Sequence, residues 1–500
     1  MITHTVYGPV KGSTSEHGVA FKGIPYAAPP VGPLRFQPPS PPDPWDAVRP
    51  ATDYGPAAPQ PHDVLLEAMF GQPPFPTDEA SCLTLNTWTP SPHGEARPVM
   101  VWLHGGAFLT GSGRDTVFDG SRLAQQHDVV VVTLNYRLGA LGFLYLAQLL
   151  GEGYEQSGNL GLLDQIAALE WVRDNISAFG GDPGNVTVFG QSAGAMSVVS
   201  LMAIPAAAGL FHKAITQSGS AEYVLGPDHA TAVTREILTA LSIAEDEADK
   251  LLDVPAARLL EAQQSVSEAM RARGEGMGLP FAPVIDGAVL PQAPIEAIEN
   301  GVAADIPLVL GTNLEEGRLF LLGPDAPAID DASLLNLFGA VYADPHNALE
   351  AFRATENDPS PLALLAAITG EQMFRAPTAR LAEAHVSHNP NVWLYLFTWR
   401  STAGNADLGA CHSLELPFVF DNLDQPGVET FTGPRPPLDL ARAMSAAWAT
   451  FARSGTPGSV WAPFEANTHP TMIFGTDQRM ADDPLKAIRA LRLQPQVEAW

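Results

Sequence analysis

Val186-Thr-Val-Phe-Gly-Gln-Ser-Ala-Gly194 is a β-branched run that breaks off in Gly190-Gln191-Ser192-Ala193-Gly194. A strand ending in G-x-S-x-G predicts a sharp strand-to-helix turn, with glycines flanking the serine because a Cβ there would clash. Ala193 to Met202 (AGAMSVVSLM) reads as the helix that follows. Such a helix aims its N-terminal N–H groups, and the positive end of its dipole, at the serine. In a chain with 44 glycines the pentapeptide alone is modest evidence. The strand before it and the helix after it make Ser192 a candidate nucleophile rather than a solvent-facing turn residue.

A serine that attacks a carbonyl needs donors for the oxyanion that forms. Pro98-Val-Met-Val-Trp-Leu103 has the pattern of a buried strand and leads into His104-Gly-Gly-Ala-Phe108, a loop able to present bare backbone N–H groups. Gly106 and Ala107 are assigned as two donors and Ala193, directly after the serine, as the third. One such donor is typically worth about 2.7–4 kcal/mol of barrier. The hydroxyl also needs a base, and the base a carboxylate that fixes its tautomer. The turn resembles that of α/β-hydrolases, in which the chain order is serine, acid, histidine, so both partners are sought after residue 192. Ile306-Pro-Leu-Val-Leu310 reads as a strand delivering Gly311-Thr-Asn-Leu-Glu-Glu-Gly317 at its C-terminal end, where parallel sheets place their sites. Glu315 and Glu316 qualify equally on chemistry, and spacing does not choose between them.

For the base, Val392-Trp-Leu-Tyr-Leu-Phe397 is another strand, followed by a loop with Gly409-Ala-Cys-His412-Ser-Leu-Glu-Leu-Pro417. There are 13 histidines. His385 and His388 sit on a helix end, His469 precedes a late strand, and His212 lies too close behind the nucleophile helix to swing back. His412 alone follows both a core strand and the acid, so it is the candidate base. Cys411 beside it reads as a small apolar packing residue.

Hydrophobic content is 46%, that of an ordinary globular protein. With 27 basic against 55 acidic residues the net charge is −28, a surface that repels nucleic acid and anionic lipid; neither is expected as a partner. Two cysteines far apart make neither a metal site nor a disulfide framework. Met1-Ile-Thr-His-Thr-Val-Tyr-Gly8 lacks the basic and apolar regions of a signal peptide, and no apolar run reaches the length of a membrane span, which points to the cytoplasm.

No linker, repeat or long charge run divides the chain, so residues 1–500 are expected to form one α/β domain, as a monomer or small homo-oligomer. Nine prolines between Pro25 and Pro44 predict a stiff extended band on the surface. Residues 98–220 alternate strand and helix, the sign of a mostly parallel sheet covered on both faces. Leu162, Ile166, Leu169, Val172, Ile176 and Phe179 predict a helix with one core-facing stripe, ended by Gly180-Gly181. Asp164 within it and Arg137 after the preceding strand are expected to form a structural ion pair. Residues 226–300 and 325–390 read as helical insertions that roof the site, and Phe108, Phe281, Phe320 and Phe374 are candidate pocket walls.

A set of ordered motifs runs almost end to end: Phe21-Lys-Gly-Ile-Pro-Tyr-Ala27, Pro29-Pro-Val-Gly-Pro-Leu-Arg-Phe36, Cys82-Leu-Thr-Leu-Asn86, His104-Gly-Gly-Ala-Phe108, Asn135-Tyr-Arg137, Asn159-Leu-Gly-Leu-Leu-Asp-Gln165, Phe179-Gly-Gly-Asp-Pro183, Gln217-Ser-Gly219, and His412 with Glu415-Leu-Pro417. In these the chain resembles the type B carboxylesterase family, which includes bacterial para-nitrobenzyl esterases and the cholinesterases. The resemblance implies an α/β-hydrolase fold and a serine carboxylesterase acting on a small-molecule ester without metal or organic cofactor. It also selects Glu316, because the matching motif is G-x-N-x-D-E-G and its Glu is the acid; Glu315 stands where the Asp stands.

Three departures follow. Position 191 is Gln where the family usually has Glu, which removes a charge that would hold a cationic alcohol group and argues against choline esters. Residues 79–82 read Glu-Ala-Ser-Cys, so the family's partner for Arg35 is Ala80 here, leaving Asp78 or Glu79 to replace it. Cys82 matches a half-cystine of secreted members, but the region around Ala58 offers no partner. Rival readings are an amidase or carbamate hydrolase with the same three residues, and a non-catalytic cholinesterase-like adhesion domain; members of the latter group lose catalytic residues that this chain keeps.

Overall fold

The computed structural model describes the chain except residues 63–73, 276–278, 322–328, 357–358, 404–407 and 493–500. The strands of the N-terminal part are β1 (Ile2–Thr5), β2 (Gly8–Lys11), β3 (Ser13–Ser15), β4 (Gly18–Pro25), β5 (Arg49–Pro50) and β6 (Thr84–Thr89). The remainder are β7 (Arg97–Leu103), β8 (Val130–Leu134), β9 (Gly181–Gln191), β10 (Lys213–Gln217), β11 (Leu308–Asn313), β12 (Val392–Phe397), β13 (Pro470–Phe474) and β14 (Arg479–Asp482). One sheet takes the order β14-β13-β12-β11-β10-β9-β7-β8-β6-β4-β3, and β1, β2 and β5 make a small separate sheet. Neighbours from β8 through β7, β9, β10, β11 and β12 to β13 are parallel, while β6, β4, β3 and β14 join antiparallel at the two edges.

The apolar strands are explained by burial on both faces. Along β7, Val99, Val101 and Leu103 enter one core cluster with Val130, Val132, Val186 and Val188. The alternate residues Met100 and Trp102 enter a second cluster with Val131, Phe189, Ile215 and Tyr395. Cys82 belongs to the first cluster and Cys411 to the second, and both thiols are free and buried. No helix among the described residues is long and apolar enough to cross a membrane.

Helix Ala193–Ala203 follows β9 as the motif predicts. Helix Leu160–Asn175 continues as a 3-10 turn, Ile176–Phe179, and Gly180 ends it at φ +81°. Its burial is not the single stripe expected from sequence. Leu160, Gly161, Asp164, Gln165, Ala168 and Trp171 are buried as well. The reason is packing on several sides: the helix touches β9, helix Ala193–Ala203 and the turn Gly139–Phe143, where a Cβ at Gly161 would meet the Phe143 ring at 2.4 Å. The buried Asp164 carboxylate accepts from Arg137 Nη2 at 2.7 Å, from its Nε at 2.8 Å and from its backbone N–H at 2.9 Å. That fully bonded pair is the structural one expected, since a buried charge is tolerated only when so satisfied.

Arg35 finds Glu79, not Asp78. The guanidinium donates to both Glu79 oxygens, at 2.6 and 3.2 Å, and Asp78 instead accepts from Ser81. Its Nη1 also donates to the carbonyls of Leu252, at 3.0 Å, and Val254, at 2.5 Å. The proline-rich band is thereby tied to the segment between helices Pro227–Leu241 and Ala256–Ala272. Later helices Asp331–Val341, Pro345–Arg353 and Pro361–Gly370 enclose a small core of their own around Leu334, Phe338, Phe352 and Leu364.

Candidate active site

Strand register sets the site. Leu103 on β7 lies opposite Gly190 on β9, and Gln191 lies opposite Gln217 on β10, which lies opposite Gly311 on β11. The residues just past these ends therefore gather at the C-terminal end of the central strands. Ser192 takes φ +55°, ψ −127°, outside the ordinary regions for a residue with a side chain. The glycines explain how the chain bends there: a Cβ at Gly194 would come within 2.0 Å of the Leu103 carbonyl, and one at Gly190 within 2.6 Å of the Gly194 backbone. The Ser192 N–H donates to Gln217 O at 2.9 Å and its carbonyl accepts from Met196 N at 2.9 Å, so the turn is bonded on both sides.

Opposite the serine, Gly106, Ala107 and Phe108 have φ of +111°, +56° and +60°. Three consecutive left-handed residues fold the loop back so that Leu109 and Thr110 both donate to Gly106 O. Among the described residues, the N–H groups of Gly106 and Ala107 have no hydrogen-bond partner. Ala193 opens its helix, where N–H groups lack an intrahelical acceptor. His104 anchors the loop from below: its ring stacks on Tyr136 at 4.4 Å, its Nδ1 meets Gly105 O at 2.8 Å, and Tyr136 donates to its carbonyl at 2.7 Å. Burial pushes the His104 imidazole down to about 4.

The two glutamates left open by spacing point in different directions. Glu316 Oε2 accepts from His412 Nδ1 at 2.6 Å. Its Oε1 accepts from Ser218 Oγ at 2.5 Å and from the Asn313 N–H at 2.7 Å. Glu315 faces away, pairing with Arg318 at 2.7 Å and Arg400 at 3.2 Å, and accepting from the Ala410 N–H at 2.8 Å. It thus tethers the loop that carries His412. Nδ1–H bonded to a carboxylate leaves Nε2 as the acceptor nitrogen of a neutral imidazole. Among the described residues Nε2 has one hydrogen-bond partner, the Gln191 side-chain amide at 2.9 Å.

Comparison with known proteins gives the arrangement a context. The model of the carboxylesterase family matches residues 1–491. The chain belongs to the carboxylesterase family. It is 42% identical to the para-nitrobenzyl esterase of Bacillus subtilis (strain 168), over 97% of this chain and 96% of that protein. It is 36% identical to the phenmedipham hydrolase of Pseudarthrobacter oxydans, over 95% of each. Among solved structures, a thermophilic PNB esterase superposes with a TM-score of 0.85 at 39% identity, covering 98% of this chain and 99% of the other. The fold is that of an α/β-hydrolase and the protein is a carboxylic ester hydrolase, as the sequence motifs implied.

Several residues around Glu316 and His412 escaped sequence reading. Ser218 was part of a family motif without a role; it is the residue just past the end of β10, in register with Ser192 past β9, and that register is the signal that finds it. A buried network also lies behind Glu316. Trp448 donates to Gln217 Oε1 at 3.0 Å, Gln217 to Glu415 at 3.0 Å, and Asn313 to Glu415 at 2.6 Å and to Cys411 O at 2.7 Å. Burial, and next the neighbouring Glu316, push the Glu415 carboxyl up. Burial likewise raises the Cys411 thiol, in keeping with a packing residue.

The aromatic candidates divide. Phe374 stacks on the His412 ring at 4.4 Å, and Phe320 lies 5.2 Å from it and 5.9 Å from Phe374. Phe374 sits in a single π-helical turn, Glu371–Arg375, a local widening often found at functional sites. Phe108 packs against Phe143 at 5.0 Å and lies parallel to Tyr223 at 6.4 Å, next to the unpaired N–H groups. Phe281 is buried in the main apolar core, with no ring contact to His412 among the described residues.

Proposed function

We propose that Ser192, His412 and Glu316 hydrolyse small carboxylic esters through an acyl-enzyme, with Gly106, Ala107 and Ala193 supplying the oxyanion donors. The observation that carries this reading is the 2.6 Å bond between His412 Nδ1 and the triply bonded Glu316 carboxylate, at the same C-terminal end of the central strands where Ser192 is held in its strained turn. The Ser192 O–H proton passes to His412 Nε2 as Oγ bonds to the carbonyl carbon, and the carbonyl π pair moves onto the oxyanion. Collapse expels the alcohol, which takes the proton from Nε2. Water then gives its proton to Nε2, its oxygen bonds to the acyl carbon, and the acid departs as the proton returns to Ser192 Oγ.

Phe108, Phe320 and Phe374 favour an apolar acyl or aryl group, in accord with relatives named for p-nitrobenzyl esters. The acidic surface, with its net charge of −28, supports the ester as the partner rather than nucleic acid or an anionic membrane. Ser192→Ala should lower p-nitrophenyl acetate turnover by about 10⁴-fold or more. An organophosphonate should add its mass to the peptide containing Ser192. Turnover near wild type, or labelling elsewhere, refutes the assignment.

A further inference from the structure

The bond between Gln191 and His412 places an N–H donor where the reaction needs an acceptor to be free. In a neutral imidazole Nε2 has one in-plane lone pair, enough for one strong hydrogen bond. The Gln191 amide nitrogen occupies it at 2.9 Å, and both side chains are nearly sealed, 3% and 4% exposed. The Gln191 backbone is fixed, because β9 holds it opposite Gln217 and its neighbour Ser192 is bonded to that same residue, so that any exchange at Nε2 is a movement of the side-chain amide alone. The charged groups facing the imidazole are Glu316 at Nδ1 and, three residues along the loop, Glu415; the rings of Phe320 and Phe374 cover it, and Cys411 precedes it. Among the described residues, Gln191 is therefore the group that decides what Nε2 meets before an ester arrives.

Taking His412 as the base, as proposed above, we infer that Gln191 is a positioning residue that parks the imidazole in its neutral form through this bond, and that Ser192 displaces the amide to begin acylation. A donor aimed at Nε2 favours the unprotonated ring, whereas a carboxylate at the same position favours the imidazolium. A primary amide also has a second face. Turning it by 180° about its last torsion presents Oε1, which accepts from Nε2–H once the Ser192 proton has moved there. One neutral side chain thus partners both protonation states of the base, which Glu, an acceptor only when ionised, does not.

The test is the pH profile of kcat/KM on p-nitrophenyl acetate for wild type, Gln191→Glu and Gln191→Met. Methionine keeps the length and removes the donor; glutamate replaces it with an acceptor. The acid-limb midpoint should rise in both variants, by about one pH unit in Gln191→Glu and by less in Gln191→Met. An unmoved or lowered midpoint in both variants overturns the inference. So does a rise in Gln191→Glu alone, which is a bare charge effect. Organophosphonate labelling, run in parallel, separates the two readings: label on Ser192 with unmoved midpoints sinks the role of Gln191 only, whereas label elsewhere sinks the assignment of Ser192 itself.

Discussion

Ser192 is held by backbone against backbone, while Glu316 and His412 are held by side chains that bond across 96 and 98 residues of sequence. At the turn, Gly190 and Gly194 let three chain segments touch, and nothing but their missing Cβ atoms makes room. Around Glu316 and His412, Ser218, Asn313, Glu315 and Glu415 supply a mesh of buried hydrogen bonds, each replaceable in shape but not in chemistry. A site built by packing fails by steric displacement. A site built by hydrogen bonds fails by losing a charge or a donor while its shape survives.

That contrast is sharpened first by Glu316→Gln, which keeps volume and removes the charge. Activity on p-nitrophenyl acetate should fall by about 10⁴-fold with the melting temperature almost unchanged. A parallel collapse in stability would break the distinction. Gly194→Ala should do the opposite, lowering kcat/KM by roughly 100-fold and stability by roughly 3 kcal/mol together, because neither Leu103 O nor the helix start can yield cheaply. Denaturant titration alongside kinetics reads both.

A third prediction concerns pH and the loop opposite the serine. Burial holds the His104 imidazole down at about 4 against an unfolded value of 6.5. The unfolded chain then binds the extra proton between those limits. Stability associated with His104 is complete above pH 6.5 and is lost as pH falls through about 4, a total of about 3 kcal/mol. His104→Asn should flatten that portion of the stability curve, measured by denaturant titration at successive pH values; an unchanged slope would mean the imidazole is protonated in the folded loop.

The same contrast explains what could be read from the sequence. The turn at Ser192 was legible because its causes are local: a β-branched run, two glycines and a helix lie within seventeen residues of one another, Val186 to Met202. Strands β7 and β12 were legible for the same reason, their bounds falling almost where the apolar runs fall. The choice between Glu315 and Glu316 was not. Consecutive residues at a 3-10 turn project in different directions, and which one meets His412 depends on a loop near residue 410 that the local sequence cannot see. Family motifs, not spacing, made that selection. The role of Ser218 and the chain from Trp448 to Glu415 needed strand register and long-range packing. The helix Leu160–Asn175 showed its stripe but hid its second buried side, since small and polar residues such as Gly161 and Gln165 carry no hydrophobic signal.

The clamp of Arg35 on the carbonyls of Leu252 and Val254 has a consequence for biosynthesis. Chains emerge from the ribosome in order, so the guanidinium leaves the exit tunnel long before its backbone acceptors have been translated. Between the synthesis of Glu79 and that of Val254 the proline-rich band can engage Glu79 but lacks its remaining ligands. The band is thus locked only after a stretch more than two hundred codons downstream of Arg35 has been translated.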